Sequence, residues 1–571
     1  MNALTKLHLL KIIVQWRLTW DKRNTKFKPP ASVKDNPKFM SPWDAISKYI
    51  KDGDVVSTSG LGGNQRASIL YWAIRELFEA TGHPRDLTIM SIGGQGGRGI
   101  APGTVEELGL PGLTTRFISG HMETFKSLLK LGDNGDCEIQ MIPQGTMALL
   151  FAAQAEGKDS VTLPAGVGTF VDPRVGRGTP LCSPDGKAVQ LVEPDGDQLK
   201  YTIPKIGVSI FNAPAADRKG NIYVRKAAMI GESYEMSIAA KKNGGRVIAN
   251  VGKIVEEGYG DIFLPADMVD AVCYYPRTEQ TGAIYHRKPL EYLTTESKVP
   301  VEEGIAQMNF INQVLGITPR RSELDYCLAR LAASVFADNA KKGSYVNIGV
   351  GLPEQVCRLL NEGGLFDDIT LLAESGVLGG IPAPGIFFGA GSCPTTIVTS
   401  PEIFKRCYEN LDVTCLGLLQ ADSEGNVNVS KRGEGCINYV GPGGFMDLTS
   451  AAKMIVFVGT WMAHAKMEFN GSGVKIVKPG TPKFVDKVDE ITFSGQQALK
   501  MGKKVFYVSN VGVFQLTEKG MELIRVMPGI DIQNDIIAHS TMKIILPESG
   551  QVPVVDESIV SGKNFKLSLK N

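Results

Sequence analysis

The sequence predicts an α/β protein made of two related domains, fused halves that each hold a largely parallel sheet. Short apolar strands alternate with helical segments, which is the pattern of βα units. The order of helix, strand and glycine-rich turn occurs twice along the chain, which indicates an internal duplication. The chain has 571 residues, enough for several domains, and 64 of them are glycines. That is about 11% against a usual ~7%.

The first copy opens with a helix and a short strand. Ser41, Pro42 and Asp44 form a typical helix start, with Ser41 as the cap and Asp44 closing a capping box. We expect this helix to end near Gly53. The strand 55–59 follows and leads into a glycine-rich turn.

The second copy repeats this layout. We expect a helix from near Ser322 to Gly343, and then a strand that leads into the turn 349–351. A second strand is expected in each copy, at 86–91 in the first and at 368–373 in the second.

A third match lies further along each copy. It reads ADRKGN at 216–221 and ADSEGN at 421–426. Three matches in the same order are hard to obtain by chance. The first copy is longer between its matches, so we expect its inserted segments within residues 98–205.

These patterns predict the domain organisation. Residues 41–295 form the N-terminal half, residues 296–321 a linker and residues 322–571 the C-terminal half. Two such halves packed face to face bring the carboxyl ends of their strands, where α/β proteins bind ligands, around one cleft. Residues 1–40 form a basic extension ahead of both halves.

The N-terminal extension carries seven Lys or Arg and a single acid in residues 1–30. Its apolar residues fall on one face of a predicted helix: Leu9, Ile12, Ile13, Trp16 and Trp20. Three roles fit this pattern, namely a surface or oligomer-contact helix, a membrane-surface helix and a transit peptide. We favour the first.

Composition and charge argue against several classes of protein. Lys plus Arg is 61 and Asp plus Glu is 60, so the chain lacks the basic footprint of a nucleic-acid-binding protein. No apolar run reaches the ~18–20 residues of a transmembrane helix. The nine cysteines show no CxxC spacing and the six histidines are scattered. We therefore expect no metal site, and reduced thiols in a cytoplasmic protein.

A carboxylate distinguishes one of the two second-strand turns. The first copy has IGG at 92–94 after this strand, whereas the second has ESG at 374–376. Glu374 comes directly after an apolar strand, at the sheet edge where catalytic groups are held rigidly. We interpret it as a nucleophile or base in the cleft, with a helix-capping acid as the alternative.

Two further glycine turns present possible anion donors. IPQGT at 142–146 follows a strand-like run and contains Gln144, and VGPGGF at 440–445 leads into a helix. Backbone N–H groups in such turns bind developing anions, although a GPGG sequence is more often only a turn.

Other nucleotide and hydrolase motifs are missing from the sequence. There is no GxxxxGK[ST] phosphate loop and no GxSxG nucleophile elbow, and the turn at 60–63 lacks the third glycine of the dinucleotide fingerprint. These absences argue against an NTPase, a dehydrogenase and a serine hydrolase.

The duplicated halves, together with ESG at 374–376, PQGT at 143–146 and GPGGFMD at 441–447, resemble class I coenzyme A-transferases. The resemblance runs from about Ser41 to Ile545. Three more motifs are most similar to the single-chain acetate/propionate branch, which is related to succinyl-CoA:3-ketoacid CoA-transferase: GNVNVS at 425–430, ITFSG at 491–495 and PGID at 528–531.

The resemblance implies a set of site residues. Glu374 matches the family's nucleophile, Gln144 matches its oxyanion-binding amide, and Gly444 matches the glycine whose backbone N–H is the second oxyanion donor. CoA contacts are expected at five glycines: Gly62, Gly63, Gly376, Gly391 and Gly443. CoA is a substrate in this reaction, and neither a permanently bound cofactor nor a metal is implied.

The implied reaction moves CoA from a short-chain acyl-CoA to a carboxylic acid, by a ping-pong mechanism through a glutamyl-CoA thioester. The expected partners are acyl-CoA, small carboxylates and further copies of the chain in a homo-oligomer. No nucleic acid and no integral membrane segment are expected. The sequence departs from the family pattern at 64–66 and 406–410, which leaves the identity of the acids open.

Three alternatives remain at this point. The first is an acyl-CoA hydrolase, in which water attacks the same glutamyl thioester. The second is a non-catalytic relative that binds CoA esters, although the presence of Glu374, Gln144 and Gly444 together argues against it. The third is sugar-phosphate isomerisation on a related fold, but no basic phosphate-binding cluster is visible.

Overall fold

Two large sheets organise the chain, one in each half. The computed structural model describes residues 1–19, 22–61, 65–96, 102–278, 290–318 and 321–570. The first sheet is mostly parallel, and nine of its strands lie side by side in this order: Phe39–Met40, Ala271–Tyr274, Arg246–Val255, Val208–Asp217, Val55–Thr58, Leu87–Ser91, Thr114–Ser119, Glu138–Met141 and Pro180–Cys182. A tenth strand, Ile222–Tyr223, pairs with the strand Val208–Asp217.

The second sheet has eight strands. Their spatial order is Thr370–Leu371, Tyr345–Ile348, Leu411–Gly417, Met454–Val458, Lys504–Ser509, Gly512–Thr517, Gly520–Val526 and Ile544–Ile545. The first five strands run parallel, and antiparallel pairing follows from the fifth to the seventh. The predicted α/β class with largely parallel sheets is confirmed.

Helices cover these sheets, and strands such as Leu87–Ser91 are buried along their whole length. Burial on both faces explains why such strands are continuous apolar runs in the sequence. The α-helices are Ala3–Thr19, Pro42–Tyr49, Ser68–Thr81, Lys126–Asn134, Gln144–Glu156, Ser233–Lys242, Val301–Leu315, Glu323–Ala337, Pro353–Glu362, Ser400–Asn410, Phe445–Ala451, Gly495–Lys500 and Glu557–Ser561.

Short strands form small additional sheets beside the two large ones. In the N-terminal half they are Ser160–Leu163, Val192–Asp195 and Gln198–Thr202, which lie within the predicted insertion. In the C-terminal half they are Val377–Leu378, Ile381–Pro382, Gly391–Ser392, Thr396–Ile397, Gln420–Asp422, Val427–Asn428, Met462–Ala463, Lys466–Phe469, Val474–Lys478, Thr481–Pro482 and Phe484–Val485.

The third sequence match forms the same turn in both halves. Asp217 Oδ1 accepts the backbone N–H of Asn221 at 3.0 Å, and Asp422 Oδ1 accepts that of Asn426 at 2.9 Å. Each asparagine side chain returns a hydrogen bond to its aspartate, at 2.8 Å and 3.1 Å. The two hexapeptides are therefore alike in geometry as well as in sequence, as an internal duplication requires.

The two predicted helix starts differ in one detail. Ser41 Oγ accepts the N–H of Asp44 at 3.1 Å, as a cap should, but the Ser41 hydroxyl donates to the Asp44 carboxylate at 2.6 Å. A full capping box also needs the N–H of the cap residue to donate to the aspartate side chain. This bond is made at Ser322, whose N–H donates to the Asp325 carboxylate at 2.8 Å. The helix after Ser41 ends at Tyr49, four residues before the expected glycine.

The N-terminal extension is packed onto the rest of the protein. Leu9, Ile13 and Trp16 are buried against Met308 and Ile311 of the helix Val301–Leu315, which occupies the predicted linker. Ile12 is partly buried in the same cluster, and Trp20 lies outside the described residues. The extension also contributes the edge strand Phe39–Met40 to the first sheet. The exact domain limits stay a prediction.

A disulfide joins Cys182 to Cys436, across the two halves. This corrects the expectation that all nine cysteines are reduced thiols. The two residues are 254 positions apart, so their spacing gave no sign of the pairing. The other seven cysteines are free: Cys137, Cys273, Cys327, Cys357, Cys393, Cys407 and Cys415.

Within the described residues, every helix is too short or too polar to span a bilayer.

Trp16→Ala should loosen the N-terminal helix from the helix Val301–Leu315. The Trp16 side chain is 6% exposed, and removing a buried tryptophan costs about 3–5 kcal/mol. Faster amide hydrogen exchange in both helices is the expected result. Lys6→Ala is the matched control because Lys6 is exposed on the same helix. Equal exchange in the two variants would contradict this packing.

Candidate active site

Glu374 lies in a tight turn at the carboxyl end of the strand Thr370–Leu371. The Ala373 N–H donates to the Val377 carbonyl at 2.9 Å, and the Gly376 N–H donates to the Ala373 carbonyl at 2.9 Å. Gly376 has φ +92°, a conformation that other residues rarely adopt. The turn therefore holds the glutamate at the edge of the second sheet, where the sequence predicted it.

The carboxylate of Glu374 contacts the turn at 441–444. The Gly444 N–H donates to it, and a Cβ atom added at Gly444 would lie 2.5 Å from Glu374 Oε2. Only glycine leaves room for this approach. Burial and the nearby charge of Asp447 raise the pKa of Glu374 to about 7, although the hydrogen bond from Gly444 acts in the opposite direction.

Gln144 meets the same turn from the other half. It is the first residue of the helix Gln144–Glu156, directly after the strand Glu138–Met141 and a two-residue link. Its backbone N–H donates to the Gly443 carbonyl at 2.9 Å, and its side chain is buried. The structure thus brings Gln144, Gly443, Gly444 and Glu374 together, although they come from both halves.

Asp447 anchors this arrangement, and the sequence had assigned it no role. Its buried carboxylate accepts the Gly145 N–H at 2.7 Å, the Thr146 hydroxyl at 2.8 Å and the Tyr408 hydroxyl at 3.0 Å. Asp447 therefore caps the helix that begins at Gln144, from the opposite half. Burial raises the pKa of Asp447 to about 6, against the three hydrogen bonds. Its position within GPGGFMD was the available signal.

The other glycines that were predicted to contact CoA lie elsewhere in the chain. Gly62 and Gly63 lie outside the described residues. Gly391 is buried in a short strand, and a Cβ atom there would lie 2.7 Å from Val377 Cγ1. It therefore packs behind the turn that carries Glu374. CoA contacts at these positions and at Gly376 and Gly443 stay predictions.

Comparisons with known proteins point to one family of enzymes. A coenzyme A transferase family model matches residues 39–272. The chain is 32% identical over 524 residues to a caffeate CoA-transferase of Acetobacterium woodii, covering 88% of this chain and 93% of that protein. It is 28% identical over 545 residues to the acetate CoA-transferase YdiF of Escherichia coli K12, covering 93% and 96%.

A solved structure shares the whole architecture. The acyl-CoA transferase YdiF of E. coli O157:H7, in a thioester complex with CoA, superposes with a TM-score of 0.80 at 26% identity. The match covers 95% of this chain and all of that one. The two halves and their sheets are therefore arranged here as in that enzyme.

Glu374→Gln should stabilise the protein in a pH-dependent way. The pKa of Glu374 is raised from 4.5 to about 7 on folding, so the acid is favoured in its protonated form. The protonated side chain of Glu374 makes its full contribution to the free energy of unfolding below pH 4.5. This contribution is lost as the pH rises through 7, because the buried group then ionises. The variant should therefore gain about 3 kcal/mol at pH 8 and little near pH 4.5.

Urea unfolding at the two pH values measures this difference. Glu409→Gln is the matched control, since Glu409 is exposed on the helix Ser400–Asn410. A gain for Glu374→Gln that is the same at both pH values would contradict the raised pKa.

Proposed function

Because the chain belongs to the coenzyme A transferase family, we propose that it transfers CoA from a short-chain acyl-CoA to a carboxylic acid through a thioester on Glu374. The observation that carries the proposal is the convergence of Glu374, Gln144 and Gly444 where the two halves meet. A nucleophile and two hydrogen-bond donors are the parts that acyl transfer requires.

The first half-reaction loads CoA onto the enzyme. The Glu374 carboxylate attacks the thioester carbonyl of the acyl-CoA, the C–S bond breaks, and an acyl-glutamyl anhydride and the CoA thiolate result. The thiolate then attacks the γ-carbonyl of Glu374. The first carboxylic acid leaves as its carboxylate, and a glutamyl-CoA thioester remains.

The second half-reaction runs these steps in reverse with an acceptor acid. The acceptor carboxylate attacks the glutamyl thioester and releases the CoA thiolate, which then attacks the acceptor's carbonyl in the new anhydride. The products are the new acyl-CoA and free Glu374. Donor and acceptor never occupy the site together in this scheme, so ping-pong kinetics follow.

The proposed donors act on the oxyanions that form at each attack. The Gly444 N–H already points at the Glu374 carboxylate, so it is suited to the oxyanion that develops on the Glu374 carbonyl. We assign the Gln144 amide as the second donor. CoA enters as a substrate, and binding energy from its remote part is available to organise the reacting end. The proposed route needs no metal.

The environment of Glu374 suits a nucleophile. Its pKa of about 7 makes the carboxylate more basic than an exposed glutamate, yet much of it is ionised at neutral pH. The rate should therefore rise with pH through about 7, as the fraction of Glu374 carboxylate increases.

The donor and acceptor acids define the substrate class. The relatives named above are described as caffeate and acetate enzymes, so the family accepts quite different acids. We propose short carboxylates for this chain. A screen of one acyl-CoA donor against a panel of carboxylates, with exchange of the CoA ester as readout, identifies the pair and also detects release of free acid to water.

We further propose that the chain forms a homo-oligomer. The N-terminal helix has a second apolar stripe that is largely exposed in one chain, formed by Leu4, Leu7, Val14 and Leu18. A contact between copies would cover it. Light scattering on the full chain measures the mass directly.

Gln144→Ala should slow turnover about 10²–10³-fold, because it removes one oxyanion donor from the proposed site. The buried helix start is held by Asp447 through backbone and threonine groups, so the variant should fold. Steady-state rates on the folded variant test this, with Gln154→Ala, on the same helix but bonded to Ile203 and Pro204, as a control for helix damage. A near-normal kcat would remove Gln144 from the mechanism.

Glu374 should become linked to CoA when acyl-CoA is supplied without an acceptor. The thioester is a reactive acyl group, so hydroxylamine should trap it and borohydride should reduce it. Peptide mass analysis should place the change on Glu374 and on no other acid. Label on a different carboxylate during demonstrated exchange would exclude Glu374 as the nucleophile.

A further inference from the structure

A buried glutamate, Glu232, lies close to the turn that carries Glu374. Glu232 directly precedes the helix Ser233–Lys242 of the N-terminal half and is 4% exposed. The Ser59 hydroxyl donates to Glu232 Oε2 at 3.1 Å, and the Glu232 N–H donates to Ser59 Oγ at 3.0 Å. Two hydrogen bonds therefore hold Glu232 at the end of the strand Val55–Thr58.

Ser400 connects this glutamate to the proposed nucleophile. Its hydroxyl donates to the main-chain carbonyl of Glu374 at 3.0 Å and also lies within hydrogen-bond reach of the Glu232 carboxyl group. Its N–H donates to the Gly231 carbonyl at 2.9 Å. Ser400 is 1% exposed, so water does not readily replace these partners.

The protonation state of Glu232 decides whether every polar group around Ser400 has a hydrogen-bond partner. A serine hydroxyl has one proton to donate and can also accept. If Glu232 is ionised, its carboxylate and the Glu374 carbonyl both require the single proton of Ser400. If Glu232 is protonated, its O–H donates to Ser400 Oγ, and Ser400 donates to Glu374. Every group in the chain is then satisfied.

We infer that Glu232 is a positioning residue, which holds a proton and through Ser400 fixes the main chain of the nucleophile. The importance of Glu232 for turnover rests on the function proposed above. Its effect on the order of the turn does not depend on that function. Glu232 touches neither reacting atom in this scheme; it orders the turn at 373–377.

The surroundings of Glu232 favour the protonated acid. Burial raises the pKa of Glu232 to about 7, against hydrogen bonds from Ser400 and Ser59. The charge of Glu235, on the next turn of the same helix, acts in the same direction as burial, and Glu402 on the facing helix acts on Glu235. The turn should therefore be ordered below pH 7 and loosen above it.

Two substitutions at Glu232 test whether turnover needs a neutral hydrogen-bond donor at this position. Glu232→Gln keeps an acceptor for Ser59 and an N–H donor for Ser400, so kcat at pH 6.5 should stay within about twofold, and any fall of kcat above pH 7 should disappear. Glu232→Ala breaks the chain of hydrogen bonds. We expect at least a tenfold lower kcat with a KM for acyl-CoA that changes less than about twofold.

Glu235→Gln is the matched control. Glu235 is a half-buried acid on the same helix, but its carboxylate accepts from Thr399 at 2.5 Å and is not bonded to Ser400. The variant should still lose protection of the turn as the pH rises, but at a lower pH than the parent protein, because the charge of Glu235 no longer raises the pKa of Glu232. Ser400→Ala should reproduce the effect of Glu232→Ala, because it removes the same connection.

Amide hydrogen exchange of residues 373–377, corrected for the intrinsic rate, gives a readout without turnover. In the parent protein, protection should fall between pH 6.5 and 8, whereas Glu232→Gln should keep it. If the parent neither exchanges CoA nor is trapped at Glu374, the proposed function fails, and the exchange data still decide the role of Glu232. Identical protection profiles in the parent and Glu232→Gln would overturn the inference.

Discussion

The buried carboxylate of Asp447 is the interaction on which the candidate site depends. It accepts hydrogen bonds from Gly145, Thr146 and Tyr408, and so ties the start of one helix to a turn from the other half. That tie places Gln144 beside Gly443 and Gly444. The same negative charge helps to raise the pKa of Glu374, so one residue sets both the geometry and the electrostatics.

Four acids lie around this point: Asp447 and Glu232 are buried, and Glu374 and Glu235 are half-buried. Burial raises the pKa of each of them. A structure selected for stability alone would replace such groups, because each loses free energy when it ionises away from water. Their concentration at one contact between the halves is typical of a functional site, where perturbed pKa values cluster.

The contact between the halves is held by more than this site. Met122 donates its N–H to the Val440 carbonyl at 2.8 Å, and Arg177 pairs with the buried Glu490 at 2.6 Å. The disulfide from Cys182 to Cys436 lies in the same interface. Several independent links thus keep two duplicated halves in one relative position. A site assembled from both halves requires that rigidity, since a shift of about 1 Å can cost ~10²-fold in rate.

The sequence by itself determined the α/β class, the duplication and the strand end that carries Glu374, because periodicity, caps and glycine turns are local properties of the chain. It also singled out Gln144 and Gly444 through motifs, though not their contact. Only the tertiary structure decided that Asp447 caps a helix of the other half, that Cys182 meets Cys436, and that Glu232 reaches Ser400. These pairs are separated by more than 160 residues in the chain. Nothing local encodes such contacts; they follow from how the two halves pack against each other.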